Sequence, residues 1–121
     1  MNAAIGIRVL LIEDEPIVAM LAEDLLDSIG CIVAATAASI AEARAAITAG
    51  GFDVVMLDVN LGGDDGLALA PMLKAHRIPY LITSGYSGAG MARDHPDAAV
   101  LAKPDVLADL ESALVKCAGR P

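Results

Sequence analysis

Short apolar runs recur along this chain, each closed by a polar residue. Val9-Leu10-Leu11-Ile12 leads into Glu13-Asp14, Val54-Val55-Met56-Leu57 into Asp58, Tyr80-Leu81-Ile82-Thr83 into Ser84-Gly85, and Val100-Leu101-Ala102 into Lys103-Pro104. Near-continuous apolar runs of this length predict strands covered on both faces. Strands are expected at Ile7–Ile12, Cys31–Ala35, Asp53–Leu57, Pro79–Thr83 and Val100–Ala102. Helical patterns fill the gaps. Pro16 suits a first helical turn and opens a helix to about Ile29, stopped by Gly30. Ser39 and Glu42 have capping-box spacing, and Gly50-Gly51 ends the helix they start. A glycine-rich loop, Asn60–Gly66, leads to a helix over Leu67–His76, and the last helix covers Asp105–Ala118. Ser84–Pro96 is glycine-rich and weakly patterned, with at most a short helix. Repeated strand–helix–strand units imply an α/β fold with a parallel sheet and right-handed crossovers.

Helical periodicity sorts the first helix into faces. Glu23, Asp24, Asp27 and Ser28 are polar, Val18, Leu21, Ala22, Leu25, Leu26 and Ile29 are expected in the core, and Ile17 and Met20 fall toward the polar side. Exposed apolar residues there suit a docking partner. On the last helix Val106, Leu107, Leu110, Ala113, Leu114 and Cys117 form the expected inner face, with Val115 outward beside Ala108 as a hint of an output or dimer surface.

Composition narrows the function classes. The chain has 121 residues, enough for one domain with its own core, and only three aromatics, Phe52, Tyr80 and Tyr86. A net charge of −8 with scattered Lys and Arg argues against nucleic-acid binding. The chain shows no secretory leader, and no apolar run approaches about 18 residues, so no membrane span and a cytoplasmic location are expected. Cys31 and Cys117 do not have the spacing of a zinc or redox motif and are expected as reduced core thiols.

The polar residues closing the runs carry the chemistry, because parallel strands would bring them to one carboxyl edge, where open α/β sheets place their sites. Glu13, Asp14 and Asp58 make a plausible open Mg2+ site, since Mg2+ takes a few carboxylates plus water and phosphate oxygens, and Asn60 has a backbone carbonyl to add. Asp58 is the candidate nucleophile, because a carboxylate can attack phosphorus and form an acyl phosphate. Lys103 is a point-charge phosphate binder, followed by Pro104. Ser84 offers a hydroxyl to a phosphoryl oxygen, with Thr83 as the alternative donor; strand alternation lets only one face the site. Asp64 and Asp65 are expected as turn and helix-capping residues, and His76 and His95 have no role.

Glu13-Asp14, Asp58, Ser84 and Lys103-Pro104, in this order and spacing, resemble the response-regulator receiver domains of two-component signalling, over the whole chain. The resemblance implies a doubly wound, flavodoxin-like five-stranded parallel sheet, order 2-1-3-4-5, flanked by helices. It implies that Asp58 accepts a phosphoryl group from a sensor histidine kinase or histidine phosphotransfer protein. Glu13, Asp14, Asp58 and the Asn60 carbonyl would hold Mg2+, Ser84 would be the switch hydroxyl and Lys103 the phosphate-binding lysine. Partners would dock on the first helix, through Ile17 and Met20, and beside the loop after the fifth strand. Leu61-Gly62 stands where the family often has Met-Pro, and Val100 holds the aromatic switch position. The interval from Ser84 to Lys103 is short for the family, which implies a short or disordered fourth helix. Asn60-Leu61-Gly62-Gly63 and Ser84-Gly85-Tyr86 resemble single-domain regulators with a Thr-Gly-Tyr-type motif, in which Tyr86 lies where side chains tune water access to the phosphoryl group.

The expected protein is therefore a single receiver domain over 1–121 without an output domain, natural or excised, that catalyses only its own phosphoryl transfer and signals to a downstream protein. One alternative is a receiver-like binding module that is not phosphorylated. Another is a magnesium-dependent phosphatase, but those enzymes place a second aspartate two residues after the nucleophile, where this chain has Asn60.

Overall fold

The computed structural model describes residues 4–61, 63–84, 99–102 and 107–118. Five strands form one parallel sheet: β1 (Arg8–Ile12), β2 (Ile32–Ala37), β3 (Val54–Asp58), β6 (Tyr80–Ser84) and β7 (Ala99–Ala102). Their spatial order is β2-β1-β3-β6-β7. Without the small hairpin described below this is the expected 2-1-3-4-5 order. The helices are α1 (Pro16–Ser28), α2 (Ile40–Ala49), α3 (Ala70–Ala75) and α4 (Leu107–Cys117).

Period-two alternation divides the sheet between two cores. Leu10, Ile12, Val55, Leu57 and Ile82 pack with Ala43 and Ile47 of α2 and Leu73 of α3. Val9, Leu11, Val54, Met56 and Leu81 pack with Leu26 of α1 and Leu110 and Leu114 of α4. Most of these side chains are fully buried. Burying a Leu, Ile or Val side chain contributes about 1.5–3 kcal/mol, so both layers hold the sheet firmly. The capping signal at α2 is realised: Ser39 Oγ accepts from the Glu42 N–H at 3.1 Å. The reciprocal bond from Glu42 reaches the Ala38 N–H at 3.2 Å, one residue before the cap itself.

Several local expectations are corrected. The second strand runs two residues past Ala35, to Ala37, where the Ala37 carbonyl accepts from the Glu13 N–H at 2.9 Å. The loop after Asp58 is a small antiparallel hairpin, β4 (Asn60–Leu61) with β5 (Asp64–Asp65). It turns through Gly63 at φ +91°, a conformation a side chain would strain. The helix expected from Leu67 starts as a 3-10 turn, Gly66–Leu69, capped by Asp65 Oδ1 on the Leu67 N–H at 2.9 Å. The α ladder of α3 begins beside Pro71, which has no N–H to extend the preceding bonds. On α1, Leu26 is buried and Val18, Ala22 and Leu25 are half-buried, but Leu21 is 59% exposed. On α4, Val115 is half-buried against the α1/α4 core instead of pointing outward. Cys31 and Cys117 are not joined in a disulfide and lie in the same core region. The expected short fourth helix lies in 85–98, outside the described residues.

Candidate functional site

The site grows out of strand alternation. On the α1/α4 face, residues 9 and 11 of β1 continue to 13, residues 54 and 56 of β3 continue to 58, and residue 81 of β6 continues to 83. Glu13, Asp58 and Thr83 are the buried polar residues among those described, at 7%, 5% and 5% exposure. All three stand at the carboxyl edge of adjacent parallel strands. Glu13, Asp14 and Asp58 each present a carboxylate oxygen within 4.8 Å of the others. Three negative groups this close, two of them nearly out of water, are mutually repulsive unless a cation joins them. The donor set is all hard oxygen, partly open at the half-buried Asp14, and it fits a small divalent cation that keeps water in its shell.

Neighbouring elements fix these groups. The Glu13 carboxylate also accepts from the Glu15 N–H at 3.3 Å, and Glu15 is the N-cap of α1 with no side-chain cap bond of its own. Glu13 thus ties the acidic edge to the start of the helix that carries the exposed apolar residues. Asp58 is the last residue of β3 and stands in register with Thr83. Val59 donates its N–H to the Thr83 carbonyl at 3.3 Å, and its own carbonyl accepts from the Gly66 N–H at 2.6 Å. The backbone around Asp58 is therefore held by β6 on one side and by the returning hairpin on the other.

Two adjacent hydroxyl residues, Thr83 and Ser84, end β6. Thr83, the alternative donor, stands in register with Asp58. Its hydroxyl is buried and, among the described residues, makes a long contact, 3.5 Å, to the Leu57 carbonyl. Ser84 ends β6, paired with Ala102. Asn60 begins β4, paired with Asp65. Lys103 and Pro104 follow β7 in sequence but lie, with Tyr86, outside the described residues. Ile17 and Met20 are 74% and 63% exposed, as expected, and Leu21 joins them as a third exposed apolar side chain that helical periodicity had placed inside.

Comparison with known proteins agrees with this geometry. The family model described as "Response regulator receiver domain" matches residues 9–114. The chain belongs to that family. Among solved structures it is similar to SdrG from Sphingomonas melonis Fr1, with 34% identity, a TM-score of 0.79, and coverage of 97% of this chain and 98% of that one. It is also similar to the PhyR response regulator REC domain from Erythrobacter litoralis, at 26% identity and TM-score 0.80, covering 95% and 92% of the two chains. The PhyR stress response regulator gives 26% identity and TM-score 0.82 over 99% of this chain, which spans 48% of that longer one. A comparison with curated proteins gives no match.

Proposed function

We propose that this protein is a phosphoacceptor response regulator that takes a phosphoryl group on Asp58 with Mg2+. The observation that carries this is the meeting of Glu13, Asp14 and Asp58 within 4.8 Å at the carboxyl edge of a receiver sheet. In the proposed reaction a carboxylate oxygen of Asp58 attacks phosphorus, the P–N bond to a donor histidine ring breaks, and the ring leaves with the bonding electron pair. Neutralising the repulsion between Asp58 and the incoming phosphoryl oxygens is the chemistry a bound Mg2+ supplies. Glu13 and Asp14 would hold that ion with Asp58, and the Asn60 carbonyl would complete the protein's share.

Ser84, the last residue of β6, takes the switch-hydroxyl role in this reading, with Thr83 as the alternative donor. Lys103, which follows β7 in sequence, binds the phosphoryl group, and Tyr86 shields it from water. The protein's catalysis is confined to its own phosphorylation and dephosphorylation. The donor is a sensor histidine kinase or a histidine phosphotransfer protein, and a downstream protein senses the altered surface. Similarity to the PhyR stress response regulator supports a place in stress signalling.

Intact-protein mass spectrometry after incubation with Mg2+ and a small acyl phosphate tests this. Wild type gains one phosphoryl mass, and Asp58→Asn gains none while staying folded. A folded wild type that takes no adduct from either the acyl phosphate or a phosphorylated kinase overturns the proposal.

A further inference from the structure

We infer that Gly66 is a positioning residue for Asp58, holding the depth at which the phosphoacceptor enters the acidic cluster; this rests on the phosphoacceptor role proposed above. After Asp58 the chain leaves the sheet, makes the β4–β5 hairpin, and comes back so that the Gly66 N–H meets the Val59 carbonyl at 2.6 Å. The return is so close that a Cβ on Gly66 would run into the carbonyl oxygen of Asp58. It would also lie 3.0 Å from the Asp58 carbonyl carbon and 3.3 Å from the Val59 carbonyl oxygen. All of these are backbone atoms. None can swing aside as a flexible side chain would.

The Asp58 backbone is braced on its far side, because it stands in the β3–β6 register opposite Thr83 and the next residue bonds to the Thr83 carbonyl. A methyl at Gly66 therefore tilts the Asp58 peptide within that register or breaks the Gly66–Val59 bond that braces its near side, and either change moves the Asp58 carboxylate. Glu13 and Asp14 follow β1 and do not share that displacement, so the distance between the two halves of the cluster changes. Gly66 is buried, and its φ lies outside the left-handed region. The position needs glycine for space. Gly63, in the same hairpin, is the opposite case: its φ is +91° and open space surrounds it. The two glycines thus separate displacement of Asp58 from loss of hairpin stability.

The test compares wild type, Gly66→Ala and Gly63→Ala as full chains, at a temperature where all three are folded. Phosphorylation by a small acyl phosphate gives the rate, and Mg2+-dependent thermal shift gives the cation midpoint. Gly66→Ala is expected to slow phosphorylation by about a hundredfold, the scale of an ångström-level misplacement, and to raise the Mg2+ midpoint. Gly63→Ala, with a comparable loss of thermal stability, keeps the wild-type rate and midpoint. Wild-type behaviour from Gly66→Ala overturns the inference, as do two variants slowed only in proportion to lost stability. Should Gly66→Ala not fold, Asp65→Ala removes the cap that pins the Leu67 N–H beside Gly66. It is expected to slow phosphorylation in a folded protein, and an unchanged rate and midpoint overturn the inference. An unphosphorylated wild type instead overturns the phosphoacceptor role, before any glycine variant is measured.

Discussion

The two faces of the sheet share the same strands and end differently. On the α2/α3 face the last inward residues are Ile12, Leu57 and Ile82, all fully buried and apolar. On the α1/α4 face the strands carry Leu11, Met56 and Leu81, then Glu13, Asp58 and Thr83. One face is apolar to its end. The other becomes polar in its final layer, on three elements at once. Scattered polar residues would each need a separate structural reason, whereas a polar layer confined to one face and one edge is the signature of a site. Adjacent residues of β3 therefore differ: Leu57 holds the sheet, and Asp58 is the proposed phosphoacceptor.

Substitution at these neighbours gives the largest effects and tests that division directly. Leu57→Ala is expected to lower stability by about 2–5 kcal/mol, since the site is fully buried and cannot collapse around the cavity. Its remaining folded fraction still takes the phosphoryl group. Asp58→Asn reverses the pattern. It removes one of three crowded carboxylates, so stability in Mg2+-free buffer holds or rises while the adduct disappears. Chemical denaturation paired with intact mass measures both. Equal behaviour of the two variants in either assay would break the comparison.

The next effect sharpens the polar face. Ser84→Ala removes the proposed switch hydroxyl. It is expected to slow phosphorylation about ten- to hundredfold, the range for losing a hydrogen bond to a charged group worth about 1.5–3 kcal/mol. Thr83→Val keeps the shape of the buried side chain and is expected to leave the rate near wild type. Paired single-turnover phosphorylation of the two variants checks this, and the reverse order would move the role to Thr83.

Much of this architecture is legible from the chain. Each apolar run is closed by a polar residue, so Glu13, Asp14 and Asp58 stand out before any pairing is known. Strand–helix alternation then implies the parallel sheet that gathers them. The register that sets Thr83 opposite Asp58 is not legible, because it depends on how β6 slides against β3, a tertiary quantity that adjacent hydroxyls do not encode. The hairpin after Asp58 is hidden for another reason. Its two-residue strands are too short to show alternation, and Gly62-Gly63 reads equally as an open loop. Gly66 looks like one more loop glycine until the Asp58 carbonyl is found against it. Periodicity misplaces Leu21 because it reports the face of a helix and not where along the axis the core stops. No residue from 16 to 25 of α1 is fully buried, whereas Leu26 is.

That unburied stretch carries the smallest expected effect. Ile17, Met20 and Leu21 are exposed on the helix whose first turn is tied to Glu13. They add little to folding, so Met20→Ser with Leu21→Ser should change stability by no more than about 0.5 kcal/mol per site. Phosphorylation by a small acyl phosphate should also be unchanged, because that donor needs only the acidic cluster. In the proposed docking a protein donor covers α1 as its histidine reaches Asp58, and loss of apolar anchors from such an interface costs about 1.4 kcal/mol, or tenfold. Transfer from a phosphorylated histidine kinase should therefore slow by about that factor while the small-donor rate stays fixed. If both donors slow together, these residues support the site itself, and the apolar half of α1 belongs to the polar face. If neither slows, the donor approaches from elsewhere, and exposure on α1 has no part in phosphoryl transfer.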